Sequence, residues 1–144
     1  MSAMPQKLLD GCVAAFACLA IVMLVSPLLA ADPFAVEVPL GAAGVQRVTI
    51  EADSYEYSPR HLIVKAGKPV ELTVKSVTIL VPHNFVIDDT RSGLTIRVEI
   101  SAGESVAVKF TPTVTGSFAI YCDKKLLLFK SHREKGMEGI LEVR

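Results

Sequence analysis

Residues 94–110, which read LTIRVEISAGESVAVKF, decide how this chain folds. Apolar and polar residues alternate over positions 94–100 and again over 106–110, and Ala102-Gly103-Glu104 between them favours a turn. Successive side chains of a β-strand point to opposite faces, so a period of two indicates a strand with one buried face. This stretch therefore predicts two antiparallel strands joined by a short turn.

The same pattern extends outward along the chain. Alternating runs also cover positions 48–52 and 70–74, turn residues separate the runs, and helical periodicity is almost absent. About seven to eight short strands at such spacing predict an all-β fold, a Greek-key β-sandwich. The chain of 144 residues suffices for one such domain, which we place at 45–144, preceded by an irregular linker at 32–44.

The first 31 residues have a different composition. A short polar start with one cation, Lys7, precedes an apolar stretch over residues 12–31 that ends in the small residues Ala30 and Ala31. This order is typical of a signal peptide for export, and we expect cleavage near Ala30 or Ala31 and a periplasmic location. The alternative is an uncleaved membrane anchor, because the apolar run approaches the length that spans a bilayer.

Cleavage of the signal peptide would leave one cysteine. Cys12 and Cys18 lie in the leader, so Cys122 would remain as an unpaired thiol and no intrachain disulfide could form. A free thiol in an oxidising compartment is open to oxidation, and metal ligation is a common reason to keep one.

The net charge of the chain does not indicate a binding partner. Lys plus Arg and Asp plus Glu number 15 each, so the chain offers no field of one sign along which nucleic acid could bind. We therefore expect no nucleic-acid partner, and contact with a membrane only through an uncleaved leader.

Two predicted strands carry residues that can bind a metal. Cys122 ends the alternating run 118–122 and His83 begins the run 83–87, and both have inward parity. If the two strands are antiparallel neighbours, the thiol and the imidazole meet at one end of the sandwich. His132 and Met137 follow Cys122 in the next loop. Two imidazoles, a thiolate and a weak axial thioether form the ligand set of an electron-transfer copper site, so His83, Cys122, His132 and Met137 are predicted to bind one copper ion that cycles between Cu(I) and Cu(II).

The order of these motifs resembles the cupredoxin family of blue copper proteins over residues 45–143. Those that carry the resemblance are, in chain order, Tyr57-Ser58-Pro59, Val64-Lys65-Ala66-Gly67, Pro82-His83-Asn84-Phe85, Phe110-Thr111-Pro112, Gly116-Ser117-Phe118, Tyr121-Cys122 and the ending from His132 to Gly139. The resemblance implies that Asn84 hydrogen-bonds across to the Cys122 loop and holds the thiolate in place.

The chain departs from the family in one loop. Nine residues, 123–131, separate Cys122 from His132, where the family has two to four. Closing a loop of about ten residues instead of three costs only about 1 kcal/mol, so we expect the loop to fold back and deliver His132.

The same loop is apolar between lysines. In relatives an apolar patch around the exposed ligand His docks redox partners, so we expect docking at Leu126, Leu128, Lys124 and Lys125, with the cations favouring an acidic partner. The alternative is that Leu127 and Phe129 pack back to cover the copper.

Two functions are compatible with this ligand set. The first is one-electron transfer with a redox partner protein such as a cytochrome, in an electron carrier rather than a true enzyme. A finer form, implied by resemblance to small periplasmic cupredoxins that accompany bacterial ferrous-iron uptake, is Fe(II) oxidation beside an iron permease component. Five acidic residues offer oxygen ligands for iron near the copper, although a solvated surface explains them equally well: Asp88, Asp89, Asp123, Glu134 and Glu138. The alternative is a copper carrier or copper-resistance protein without a redox role.

Overall fold

Ten strands form the part of the chain that the structure, a computed structural model, describes, residues 34–144. The predicted signal peptide lies outside the described residues. Two short 3₁₀ segments, Ala42–Gly44 and Arg133–Lys135, accompany the strands. The strands are β1 Ala35–Glu37, β2 Gln46–Asp53, β3 Glu56–Ser58, β4 His61–Val64, β5 Val70–Ser76, β6 His83–Asp89, β7 Leu94–Ile100, β8 Ser105–Phe110, β9 Gly116–Tyr121 and β10 Glu138–Val143.

The strands form two sheets. The larger sheet has the order β1-β4-β10-β9-β6-β7 and the smaller one the order β3-β2-β5-β8. The prediction of an all-β sandwich is confirmed, and the strand number rises to ten because β1 and β3 have only three residues each, too few for an alternating pattern to show. The segment 32–44, predicted as a linker, contributes β1, which pairs in parallel with β4.

The core lies between the two sheets. Ile50 and Leu72 of the smaller sheet and Phe85, Ile120 and Leu141 of the larger one are almost completely buried in one apolar cluster. β2 and β5 of the smaller sheet alternate between this core and more exposed positions, as the period of two predicts, whereas the first five residues of β6 are all buried.

Strand pairing decides where the predicted ligands meet. β9 and β6 are antiparallel neighbours, with Val86 opposite Tyr121. Continued by two residues, this register brings Asn84 opposite Asp123. The beginning of β6 and the end of β9 therefore lie side by side at one end of the sandwich, which we call the donor pole. Across residues 34–144, no helix has the length and apolar character needed to cross a bilayer.

Candidate metal centre

Three of the four predicted ligands meet at the donor pole. His83, Cys122 and His132 are all buried, and one donor atom from each lies within 4.8 Å of the other two. The three residues come from the start of β6, the position just after β9 and the end of the following loop. Two nitrogen donors and one sulfur donor are thus already gathered in a space of the size that one metal ion needs.

His83 supplies the observation that tests whether a metal fits. Its Nδ1 is buried and has no hydrogen-bond partner among the described residues, whereas its Nε2 lies 3.4 Å from Thr78 Oγ1. A buried polar atom without a partner is costly, because it loses its bonds to water and gains none. A metal ion bound to Nδ1 would remove that cost, so the residues present fit a metal centre.

Cys122 faces the two imidazoles. Its Sγ lies 3.4 Å from His132 Nδ1 and accepts a long hydrogen bond, 3.4 Å, from the backbone N–H of Asn84. The ring centroids of His83 and His132 are 5.2 Å apart. The thiol is therefore held from the β6 side and points to the same space as both rings.

His132 reaches the site because its loop is closed at the base. The backbone N–H of His132 donates to the carbonyl of Lys124 at 2.8 Å, so residues 125–131 form an excursion outside the site. Only residues 123 and 124 lie between Cys122 and this closure. Nine residues separate Cys122 from His132 in the chain. Because the hydrogen bond to Lys124 excludes residues 125–131, His132 lies where it would lie if only two residues followed Cys122.

Met137 completes the backbone arrangement of the loop. Its N–H donates to the carbonyl of His132 at 2.9 Å, and its own carbonyl accepts from the N–H of Cys122 at 3.1 Å. Its side chain is fully buried in the same apolar cluster that contains Cys122. The three loop residues predicted as ligands are thus tied to one another by main-chain hydrogen bonds.

The protonation preferences of the donors suit metal binding. Burial, followed by the charge of the other imidazole, lowers the pKa of His83, and burial, followed by the charges of Lys135 and Lys124, lowers the pKa of His132. Both rings therefore favour the neutral form, which has a free lone pair. Burial raises the pKa of the Cys122 thiol, so metal binding must displace its proton.

Asn84 joins β6 to the Cys122 loop. Its side-chain amide donates to Asp123 Oδ1 at 2.8 Å, and its Oδ1 accepts from the Asp123 backbone N–H at 3.1 Å. The family resemblance points to this position, and the structure shows the bridge in both directions. Tyr57 also donates to the Asn84 carbonyl at 2.5 Å, and burial raises the pKa of that phenol.

Arg97 was not foreseen from the sequence. Its guanidinium donates two hydrogen bonds to the Asp123 carboxylate, at 2.9 and 2.8 Å, from the neighbouring strand β7. These bonds, and that from Asn84, lower the pKa of Asp123 to about 2. The alternating pattern of β7 places Arg97 on the outward face, so the sequence predicts an ordinary solvent-exposed side chain. Only the order of the strands in the sheet shows that Asp123 is its partner.

The loop between Cys122 and His132 leaves its apolar side chains in water. Leu127 and Phe129 are exposed, so the alternative in which they cover the metal site is wrong. Instead a groove of about 460 Å³ opens beside His132, lined on one side by Leu126 and Phe129 and on the other by Leu80. Tyr55 also lines this groove, with its ring 5.1 Å from that of His132.

The acidic residues expected to hold iron do not gather at the site. Asp88 and Asp89 lie at the other end of β6, about 17 and about 20 Å along the strand from His83. The remaining three are already engaged: Asp123 with Arg97, Glu134 with Ser131 and Glu138 with Arg133. Among the described residues, no second cluster of metal-ligating side chains accompanies the first.

Comparisons with known proteins agree with this fold. A family model described as "Cupredoxin-like domain" matches residues 15–137. A search of curated proteins finds no match. Among solved structures, the Cu(I)-bound metal-binding domain of the Streptococcus pneumoniae exporting ATPase CopA is similar, at 23% identity and a TM-score of 0.58 over 76% of this chain and 95% of that one.

Two further structures show the same likeness. Reduced rusticyanin aligns at 16% identity and a TM-score of 0.58, over 79% of this chain and 87% of that one. Reduced auracyanin from Roseiflexus castenholzii aligns at 18% identity and a TM-score of 0.56, over 68% of this chain and 96% of that one. At these identities the three structures establish the fold alone.

Proposed function

This chain belongs to the family of cupredoxin-like domains, and from that premise we propose that it is an exported carrier of single electrons. The family binds one copper ion, and the described residues contain a group that can hold a metal ion. We propose that His83, Cys122, His132 and Met137 would hold this ion. Bound copper would supply a one-electron couple between Cu(I) and Cu(II).

The observation that carries this proposal is the convergence of the donor atoms. The unpartnered Nδ1 of His83, the Cys122 thiol and the Nδ1 of His132 share one buried space. Strand β6 holds His83, and the hydrogen bonds among Cys122, His132 and Met137 hold the loop. Such a frame resists rearrangement, and a site that rearranges little between two oxidation states exchanges electrons readily.

A visible absorption spectrum of the copper-loaded protein tests the ligand assignment. We expect an intense thiolate-to-copper band that Cys122→Ser abolishes and that His83→Ala and His132→Ala remove or shift strongly. His61→Ala is the matched control, because His61 lies outside the cluster and hydrogen-bonds Glu142. A spectrum unaffected by Cys122→Ser would contradict the assignment.

Electrochemistry separates electron transfer from copper carriage. We expect a reversible one-electron wave, with copper retained through repeated cycles. Release of copper on reduction, or rapid loss to a Cu(I) chelator, would favour the alternative of a copper carrier or resistance protein.

A redox partner protein is proposed to approach the donor pole through the groove beside His132. Leu126, Lys124 and Lys125 all line this groove. Leu128 lies at the tip of the same loop. We expect the partner to be a cytochrome or an iron permease component. Either would lie in the periplasm or in the membrane beside it. Replacing Leu126 and Leu128 by Ser should slow electron exchange with the partner and leave the copper spectrum unchanged.

Oxidation of Fe(II) is the finer form of this proposal. One Fe(II) would lose one electron and the protein would gain it, so anaerobic titration should consume one Fe(II) for each oxidised copper. Because the nearby carboxylates are engaged in hydrogen bonds, we expect no tight iron binding before transfer. Failure of Fe(II) to reduce the protein would leave the electron-carrier role and remove the iron role.

A further inference from the structure

Six large apolar side chains stand in water at the donor pole. They are 63% to 99% exposed, while every other large apolar side chain of the described residues except Phe34 is at most 44% exposed. They come from two loops, and the groove beside His132 is lined by both, so the loops are neighbours. The six residues, which we call the apolar tip, are Ile79, Leu80, Leu126, Leu127, Leu128 and Phe129.

The fold itself does not require these residues. A turn closed by the hydrogen bond from the Phe129 N–H to the Leu126 carbonyl, 3.0 Å, places Leu127 and Leu128 at its centre. Turn centres favour Gly, Asn and Asp, and Leu127 adopts the left-handed conformation, φ 49°, that disfavours a leucine. Since the two side chains bury almost nothing within the chain, the protein accepts this strain without a gain in its own packing. The gain is therefore to be sought outside the chain.

Positive charge surrounds the apolar tip. Residues 123–135 hold five Lys or Arg and two Asp or Glu, although the whole chain is balanced. Among the described residues Lys125 and Lys130 form no ion pair, although both lie close enough to Glu134 for their charges to act on its carboxylate. Lys135 lies over the Tyr55 ring at 4.1 Å. Two copies of the chain joined tip to tip would bring these cations together, which disfavours a second copy as the occupant.

We propose that the apolar tip inserts into an anionic lipid surface. Leucines that protrude from the apex of a turn can enter a soft acyl layer, whereas a preformed protein surface would need a matching deep pocket for them. Lysines at the base of the same turn would then lie at the level of the lipid phosphates. An apolar apex above a cationic base is the arrangement by which peripheral proteins combine insertion with charge attraction.

This membrane contact differs from the one that the sequence predicts, which runs only through an uncleaved leader. Insertion of the apolar tip into lipid does not require bound metal. Its consequence is that the groove beside His132 would face a membrane-embedded redox partner, and only this consequence rests on the proposed function.

The test measures amide hydrogen exchange of residues 123–131 in the full metal-free chain with vesicles. A retained leader would attach the chain to any vesicle, so a readout inside the loop is needed. We expect about tenfold slower exchange with vesicles of equal phosphatidylglycerol and phosphatidylcholine, and no change with phosphatidylcholine alone. Leu127→Ser with Leu128→Ser should abolish the protection.

Charge variants sharpen the test. Lys125→Ala and Lys130→Ala should each raise the lipid concentration for half protection about fivefold. The matched controls Val114→Ser and Lys68→Ala lie in the turns at the opposite end of the sandwich, joined there by the Gly67–Pro112 hydrogen bond, and should change nothing. Cys122→Ser should bind as wild type does, so a failure of the copper assignment stays separate.

Three results would overturn the proposal. Equal protection by neutral and anionic vesicles would mean that charge plays no part. Protection that rises with protein concentration in the absence of lipid would identify a second copy as the occupant. Protection by a c-type cytochrome of net negative charge, with none by anionic vesicles, would identify an acidic protein instead.

Discussion

The two sides of the donor pole are built in opposite ways. His83 and Asn84 belong to a strand that is paired on both edges, and their positions follow from the sheet. His132 ends a loop whose middle, residues 125–131, buries little, and its position follows from a single closure at Lys124. The comparison teaches that the position of a ligand residue in a loop depends on the main-chain hydrogen bond that closes the loop next to it. The number of residues in the rest of the loop matters little.

The largest effect should come from the strand side. Phe85→Ala removes a fully buried ring beside His83 that also contacts the Tyr57 ring edge-on, with centroids 6.1 Å apart. We expect the free energy of unfolding to fall by about 3–5 kcal/mol, because the change leaves a cavity in the core. Urea denaturation measures this change in the free energy of unfolding. Phe129→Ala on the loop is the matched control and should stay within about 0.5 kcal/mol.

A smaller effect should appear where the two sides are joined. Asn84→Ala leaves the Asp123 backbone N–H without its partner and removes one of the two hydrogen bonds to Asp123 Oδ1, which should cost about 1–3 kcal/mol. The copper absorption band should also shift, since Asn84 and Cys122 belong to one connected network. Arg97→Ala removes only the half-exposed pair with Asp123 and should cost about 1 kcal/mol or less. An equal loss in both variants would show that the bridge of Asn84 is no stronger than the surface pair.

Shortening the loop tests the closure itself. When Asn-Gly replaces residues 125–131, the hydrogen bond from the His132 N–H to the Lys124 carbonyl closes a β-turn with two central residues. We expect copper binding to persist and the free energy of unfolding to rise by about 1 kcal/mol, because a shorter loop loses less entropy on closing. Calorimetry and copper titration give the two quantities. Loss of copper binding would mean that the excursion, and not its base, holds His132.

The same contrast explains how much the sequence reveals. The period of two located the long strands and gave Cys122 and His83 their inward parity, because strand geometry is local. The strands of three residues, β1 and β3, carry too little pattern to be recognised. The closure at Lys124 and the pair between Arg97 and Asp123 depend on which strands become neighbours, and such non-local pairing leaves no mark in a single sequence.

Leu128→Ser should have the smallest effect on stability. The side chain is 99% exposed, so the substitution removes no buried surface, and the free energy of unfolding should stay within about 0.5 kcal/mol of wild type. Leu62→Ser in β4, where the leucine is buried, is the matched control and should cost several kcal/mol, since it buries a hydroxyl and leaves a void. A loss above about 1 kcal/mol for Leu128→Ser would show that the loop packs onto the domain in solution. If stability is unchanged, the leucine does not serve the fold, and its presence at the apex of a strained turn must be explained by what the donor pole binds.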